Sequence, residues 1–101
     1  SIHRIKSDEM WHFYKGGPLG VWEKTEEGEW KETVLGPDAA SGQVLQHVVP
    51  AGRWFGARPR PGTDFVLVGC TVAPGFDFAD FELAPGPELT AEAEAALLPK
   101  E

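Results

Sequence analysis

The 101-residue chain has a single cysteine, Cys70, so no disulfide can form within it. Small secreted domains commonly use disulfides, because their hydrophobic cores alone give little stability. The lone thiol therefore gives no sign of an oxidising compartment, and we expect a cytoplasmic location. The start of the chain also lacks the cationic segment and apolar run of a secretory signal.

Cationic residues are scarce: nine lysines and arginines against sixteen aspartates and glutamates give a formal net charge of −7. A nucleic-acid-binding surface needs the opposite sign, because much of its affinity comes from releasing counterions from phosphates. The longest nearly apolar stretch, residues 65–73, is about half of the roughly 18 residues that a membrane-spanning helix needs. The composition thus predicts a soluble protein with neither nucleic acid nor membrane as a partner.

Twelve glycines and nine prolines interrupt the chain every few residues and leave little room for long helices. Many of the segments between them alternate apolar and polar residues, with the period of a β-strand. We predict strands over residues 1–6, 9–14, 19–24, 30–35, 44–49, 54–57 and 65–72, and an edge strand or an extended wrap over 76–83.

Two of the connections and one apolar segment allow more specific structural predictions. Residues 26–28 are a charged turn that contains a glycine, so the strands on either side of it form a hairpin. Residues 58–62 contain two prolines without N–H donors, which predicts an exposed loop. Residues 65–72 are apolar almost throughout, which predicts a central strand covered on both faces.

The C-terminal part contains the one predicted helix. Thr90 is a plausible N-cap for a helix over residues 91–98, which are rich in alanine and glutamate and are followed by a proline. About eight short strands with one terminal helix indicate a closed double-sheet architecture, the all-β jelly roll. The length allows one domain, over residues 1–101.

The first strands place polar groups among apolar ones. In a strand over residues 1–6, His3 lies on the face opposite the cations and is predicted to face the interior. In the next strand, Glu9 shares a face with Trp11 and Phe13, whereas His12 lies on the other face. The alternation therefore predicts an imidazole and a carboxylate inside a β-cavity.

Residues 1–16 resemble the first motif of the cupins, whose usual form is His-x-His followed by a glutamate and a glycine. His3 takes the place of the first histidine, Glu9 that of the glutamate and Gly16 that of the glycine. Ile5 stands where the second histidine is usual. The match therefore keeps two of the three metal ligands of this motif.

Residues 50–52, Pro-Ala-Gly, resemble the Pro-x-Gly turn of the second cupin motif, and there Phe55 replaces the closing histidine. The chain is most similar to the fifth cupin family, a branch of the RmlC-like cupins long labelled as a domain of unknown function. The resemblance implies a double-stranded β-helix and a homodimer, and relative to the family the chain is short at its N-terminus. The strings that carry it are residues 3–5, 7–9, 11–13, 49–54, 68–76 and 80–83.

His3 and Glu9 are the candidate catalytic residues. An inward histidine can act as a general base near neutral pH, and cupin sugar-nucleotide epimerases work in this way. The same two residues are weak candidates for binding Fe, Mn, Ni or Zn, with His47, Gln46 or His12 as a further ligand. A hydrogen bond between His3 and Glu9, or from each to water, is the structural alternative.

We expect a small-molecule ligand in the cavity. The candidate pocket residues are Trp11, Phe13, Gln46, His47 and Phe55, a set that is mainly apolar with a few polar groups, as in most ligand sites. The favoured hypothesis is an isomerase or epimerase that acts on a sugar-like substrate. A non-catalytic binding or structural cupin and a divalent-metal-dependent enzyme are the alternatives.

Overall fold

The computed structural model describes residues 2–75, 82–83 and 88–97. These residues form short strands with a single α-helix at the C-terminal end, the pattern that the glycine and proline spacing predicts. The elements are β1 (His3–Arg4), β2 (Asp8–Gly16), β3 (Leu19–Lys24), β4 (Trp30–Leu35), a 3-10 turn (Ala39–Ser41), β5 (Gln46–Val49), β6 (Phe55–Pro59), β7 (Val66–Ala73), β8 (Glu82–Leu83) and α1 (Glu88–Leu97).

The strands form two antiparallel sheets. Within the described residues, the larger sheet has five strands in the order β4-β3-β6-β1-β8, and the smaller has three in the order β5-β2-β7. Strands that are distant in sequence lie side by side in both sheets, as in a jelly roll. The predicted all-β cupin architecture is therefore confirmed.

The predicted hairpin joins β3 and β4, which pair from Leu19 opposite Leu35 to Lys24 opposite Trp30. Gly28 in its turn has a φ of 83°, a conformation that side chains with a Cβ rarely adopt. This glycine explains why the chain reverses direction here.

The core lies between the two sheets. The buried side chains that touch one another come from β3, β4 and β6 of one sheet, from β5 of the other and from the segment after β1. Large side chains of β2 and β7 pack against them from the smaller sheet. The buried cluster is Ile5, Leu19, Val21, Leu35, Val49 and Phe55, and its partly buried neighbours include Trp11, Phe13, Val66, Val68 and Val72.

Residues 58 and 59 differ from the prediction of a loop. Arg58 and Pro59 belong to β6, opposite Gly20 and Leu19 of β3. Among the described residues, β1 pairs with β6 only at Phe55, so the far end of β6 has one neighbouring strand. A proline without an N–H fits a strand whose second side is open.

The strand β7 also differs from expectation. It pairs with β2 and lies at one side of the three-stranded sheet, so in the described part of the chain it is not central. Leu67 on its outer face is 55% exposed. Its apolar sequence is therefore not explained by burial on both faces.

The C-terminal helix begins at Glu88, so Thr90 lies inside it and is not the N-cap. An acidic residue in the first turn suits the positive end of the helix dipole, which favours the earlier start. No helix in the described ranges has the length and apolar character of a membrane span. Of the predicted edge strand, residues 82–83 pair with β1 at the edge of the larger sheet, and residues 76–81 lie outside the described part.

Truncating Phe55, whose side chain is 1% exposed, should have a large effect on the stability of the fold. Phe55→Ala should lower the free energy of unfolding by about 3–5 kcal/mol, because it removes buried apolar surface and leaves a cavity. Denaturant titration measures this loss. Leu45→Ala, at a residue that is 60% exposed, is the control and should change stability by less than about 0.5 kcal/mol. A similar loss in both variants would contradict the packing described.

Candidate ligand-binding site between the sheets

One row of side chains crosses the inner face of the larger sheet. Glu23 of β3 lies directly opposite Phe55 of β6, and Phe55 lies opposite His3 of β1. Directly opposed residues on neighbouring strands point to the same face. The two ionisable side chains therefore flank the phenyl ring of Phe55.

A matching row crosses the inner face of the smaller sheet. Trp11 in the central strand β2 lies opposite His47 of β5 on one side and Cys70 of β7 on the other. The ring of Trp11 meets that of Phe55 edge-on, with centroids 6.4 Å apart. The two rows thus form one layer through the interior, with the aromatic pair at its centre.

At one side of this layer, Glu23 links the two sheets. Its carboxylate is 1% exposed and accepts hydrogen bonds from His47 Nε2 at 2.5 Å and from Arg53 Nη1 at 2.7 Å. Burial by itself raises the pKa of Glu23, but the hydrogen bonds and positive charge of His47 and Arg53 outweigh it and hold that pKa below its ordinary value of 4.5. Glu23 is therefore ionised at neutral pH.

Arg53 reaches this carboxylate because of the Pro-x-Gly turn before it. Gly52 has a φ of 83°, and its N–H donates to the carbonyl of Ile5 at 2.9 Å. The N–H of Ala51 donates to Asp8 Oδ1 at 2.8 Å. The turn is thereby fixed to the segment between β1 and β2, and this orients the guanidinium group.

Glu23 was not among the predicted site residues. The segment that contains it is predicted only as one strand of the hairpin, yet its alternation contains the necessary signal. Glu23 has the same parity as Leu19 and Val21, which are both core residues. A carboxylate on the buried face of a strand requires partners, so this parity alone marks Glu23 as unusual.

On the other side of Trp11, the layer contains Cys70 with Glu9 beside it. Glu9 lies opposite Val72, which is two residues after Cys70 in β7 and points to the same face. Partial burial of the thiol, together with the charge of Glu9 and a hydrogen bond to it, raises the pKa of Cys70 to about 12. Cys70 is nevertheless exposed as a residue, so solvent reaches the inner face here.

His3 is half-buried and packs against Phe55, with ring centroids 4.4 Å apart and the planes tilted by 54°. Phe13 packs against the core from β2. The structure thus puts His3, Phe55, Trp11 and His47 in one layer. It places Glu9 beside that layer.

Gln46 does not join this layer. It lies opposite His12 on the outer face of the smaller sheet, and its Nε2 lies 3.2 Å from His12 Nδ1. His12 also contacts Thr71 Oγ1 at 3.0 Å. Alternation along β2 and β5 turns both Gln46 and His12 away from the interior, so neither can complete a site with His3 and Glu9.

The donor set does not fit a tightly held divalent metal. In the part of the chain that the structure describes, no three side chains of His, Cys, Asp or Glu form a group that could hold one. His47 directs Nε2 to Glu23, and Phe55 occupies the position of the usual closing histidine. Two protein ligands, His3 and Glu9, are fewer than the three that catalytic zinc sites use.

The sequence model of one protein family, described as cupin superfamily (DUF985), matches residues 1–84. The chain belongs to this family. Its double-sheet fold and its Pro-x-Gly turn before Arg53 agree with that membership, and the resemblance seen in the sequence is confirmed.

Two solved structures are similar to this cupin. A crystal structure of a protein from Shewanella oneidensis has 38% sequence identity and a TM-score of 0.79, and the match covers 98% of this chain and 66% of that one. A hypothetical protein from Leishmania major has 30% identity and a TM-score of 0.77, with coverage of 95% and 65%. This cupin thus spans slightly less than two thirds of the length of either protein. Among curated proteins, none matches it.

Replacing Glu23 tests its role as the link between the sheets. Glu23→Gln should destabilise the protein by about 3 kcal/mol at pH 7, because it breaks the buried charged hydrogen bonds and removes the counter-charge of the partly buried Arg53 and His47. Since folding lowers the pKa of Glu23, its contribution is present above pH 4.5 and is lost as the pH falls through the folded pKa. The difference from wild type, measured by denaturant titration, should therefore shrink below pH 4.5. Glu92→Gln, which removes an exposed partner of Lys24, is the control and should have little effect.

The raised pKa of Cys70 predicts that its thiol reacts slowly with electrophiles. At pH 8, a pKa near 12 instead of 9.0 reduces the thiolate fraction about a thousandfold, and alkylation by iodoacetamide should be slower by at least about tenfold, since a more basic thiolate is also more nucleophilic. Glu9→Gln should accelerate the reaction, because it removes the adjacent negative charge. Glu29→Gln in the β3–β4 turn should not. Equal rates in wild type and Glu9→Gln would mean that Glu9 does not face Cys70.

Proposed function

We propose that this cupin binds a small, polyhydroxylated molecule such as a sugar between its two sheets, on the side of the layer that contains His3, Glu9 and Cys70. We propose further that it acts on this ligand as an isomerase or epimerase. Proton transfer next to a carbonyl needs only a positioned base and acid, so this chemistry is compatible with a site without a metal ion.

The observation that carries the proposal is the exposure of Cys70. Its neighbours in the layer are buried or half-buried, whereas Cys70 is open to solvent although it belongs to the inner row. Glu9 stands beside this opening. A ligand that enters here meets a carboxylate that can accept hydrogen bonds from hydroxyl groups.

The opposite side of the layer is less suited to a ligand. There, both oxygens of Glu23 accept hydrogen bonds from His47 and Arg53, so this carboxylate already has protein partners. A ligand would have to displace one of these partners and leave a buried charge unpaired. The polar groups at this side therefore support the fold, and the opening beside Glu9 is the better candidate for binding.

In the proposed reaction, His3 removes the proton from the carbon next to a carbonyl group. Glu9 relays a proton from solvent to the opposite face of that carbon, and His3 returns its proton to solvent, so that both residues regain their starting states. The aromatic rings of Trp11 and Phe55 form the apolar wall against which the carbon skeleton packs. Binding without this proton transfer is the non-catalytic alternative.

Deuterium exchange tests binding and chemistry together. The protein is incubated in D₂O with a panel of neutral ketoses, aldoses and sugar nucleotides, and proton NMR follows both ligand line broadening and loss of the signal next to the carbonyl. We expect broadening and exchange for at least one compound. His3→Asn and Glu9→Gln should each lower the exchange rate at least a hundredfold.

The matched controls are His12→Asn on the outer face and Glu29→Gln in the β3–β4 turn, which should exchange at the wild-type rate. Broadening that His3→Asn and Glu9→Gln weaken, without exchange in any protein, would support a binding cupin and reject the isomerase. Neither broadening nor exchange at millimolar ligand would reject the proposed ligand class.

A further inference from the structure

The side of the larger sheet that faces away from the core carries three of the four tryptophans of the chain. The pairing register puts them there together with cations, because directly opposed residues on neighbouring strands point to the same side of a sheet. We name this surface the tryptophan face. It consists of Trp22 and Lys24 of β3, Trp30 of β4, Trp54 just before β6, Arg58 of β6 and Arg4 of β1.

Two of the cations lie on tryptophan rings. The guanidinium group of Arg58 lies 4.5 Å from the ring centroid of Trp22, and that of Arg4 lies 4.3 Å from the ring centroid of Trp54. A cation over the face of an indole is attracted by the negative potential of the ring. The tryptophan face therefore combines apolar rings with positive charge held close to them.

Positive charge exceeds negative charge on this face. Its acids among the described residues are Glu32, which accepts hydrogen bonds from Trp22 Nε1 at 3.0 Å and from Arg60, and Glu82 of β8, which lies opposite Arg4. With Arg60 included, four cations stand against two acids, although the whole chain has a net charge of −7. An acidic partner is therefore attracted to this face by its local charge.

The helix α1 occupies part of the tryptophan face. It lies against β4, and the side chain of Ala93 is 0% exposed. In an α-helix the residues before and after Ala93 point about 100° to either side of it. Glu92 accepts a hydrogen bond from Lys24 Nζ at 2.9 Å, and Glu94 accepts one from Arg58 Nη1 at 3.4 Å. The sequence Glu-Ala-Glu thus binds two cations of the face around one small buried residue.

The contacts that hold α1 are weak. A helix of ten residues is marginal in water without tertiary contacts. Among the residues of α1 whose burial is described, only Ala93 is fully buried, and an alanine removes little apolar surface from water. The side chains of Glu92 and Glu94 are 46% and 42% exposed, and ion pairs so exposed change an equilibrium constant by less than about fivefold each. We therefore expect α1 to leave the sheet and return readily.

We infer that the tryptophan face is a docking surface for an acidic amphipathic helix of another protein, and that α1 competes with this helix for the face. The partner helix carries two glutamates around a small residue, so that its backbone approaches the rings while the carboxylates reach Lys24 and Arg58. A helix longer than α1 also covers the Trp54 ring. Tryptophan and arginine are the residues that contribute most at protein interfaces. The inference does not rest on the proposed ligand site.

Fluorescence anisotropy with a labelled peptide is the test. The peptide has the sequence of residues 87–99, which contains the Glu-Ala-Glu motif. The full chain that carries Glu92→Gln and Glu94→Gln should bind it severalfold more tightly than wild type does, because its own α1 competes less. A peptide with glutamine at the same two positions should bind this variant chain severalfold more weakly. Melting curves confirm that the variant folds.

Two further substitutions in that variant chain locate the binding surface. Arg58→Gln removes a cation of the tryptophan face and should weaken peptide binding severalfold. Lys15→Gln makes the same charge change in β2 of the smaller sheet and should leave binding unchanged. Equal effects of the two would mean that the peptide responds only to the overall charge, and the inference would be overturned.

Three other results would also overturn it. They are no binding at millimolar peptide, equal binding of the glutamate and glutamine peptides, and a peptide affinity that falls as the chain concentration rises. The last result would identify α1 of a second copy as the occupant, in place of a helix from another protein.

Discussion

The fold depends on a charged interaction in its interior: the Glu23 carboxylate, almost fully buried, bonded to His47 of the opposite sheet and to Arg53 of the Pro-x-Gly turn. A buried ion pair of this kind is not by itself a source of large stability, since desolvation offsets most of the attraction. Its consequence is specificity. The carboxylate is satisfied by groups from two other elements, β5 and the turn, so it couples the position of the larger sheet to both.

That position determines what the rest of the layer presents. At one side of the layer, Glu23 is paired with His47 and Arg53, and the rings of Phe55 and Trp11 pack in the middle. The other polar side chains of the interior, His3, Glu9 and Cys70, lie on the opposite side. The same layer explains the poor fit to a metal. Phe55 stands where the usual second cupin motif has its closing histidine, and its ring packs against Trp11 there instead.

Much of this arrangement could be predicted from alternation alone. The parity of β2 separated Glu9, Trp11 and Phe13 from His12, because a strand buried on one face has a strict period of two. The prediction that Gln46 lines the pocket used the composition of its strand and ignored parity, which places Gln46 on the outer face of the smaller sheet. Glu23 was missed because its partners lie 24 and 30 residues away, on elements whose pairing the sequence does not state.

The errors in the fold have a similar origin. An apolar run such as 65–72 predicts burial on both faces, but whether a strand is central depends on how many strands its sheet contains. Residues 58 and 59 became part of β6 because the neighbouring strand β1 is short, which leaves one side of β6 open to a proline. Both outcomes depend on topology more than on local preference.

The ionisation state of Glu23 is the most direct test of this account. A carbon-detected NMR titration of the side-chain carboxyl groups, assigned with the Glu23→Gln variant, gives the pKa of Glu23 in the folded protein. We predict a value below the ordinary 4.5, with the His47 ring signals responding in the same transition. A pKa at or above 4.5 would mean that the carboxylate is not held between two cations and would contradict the account.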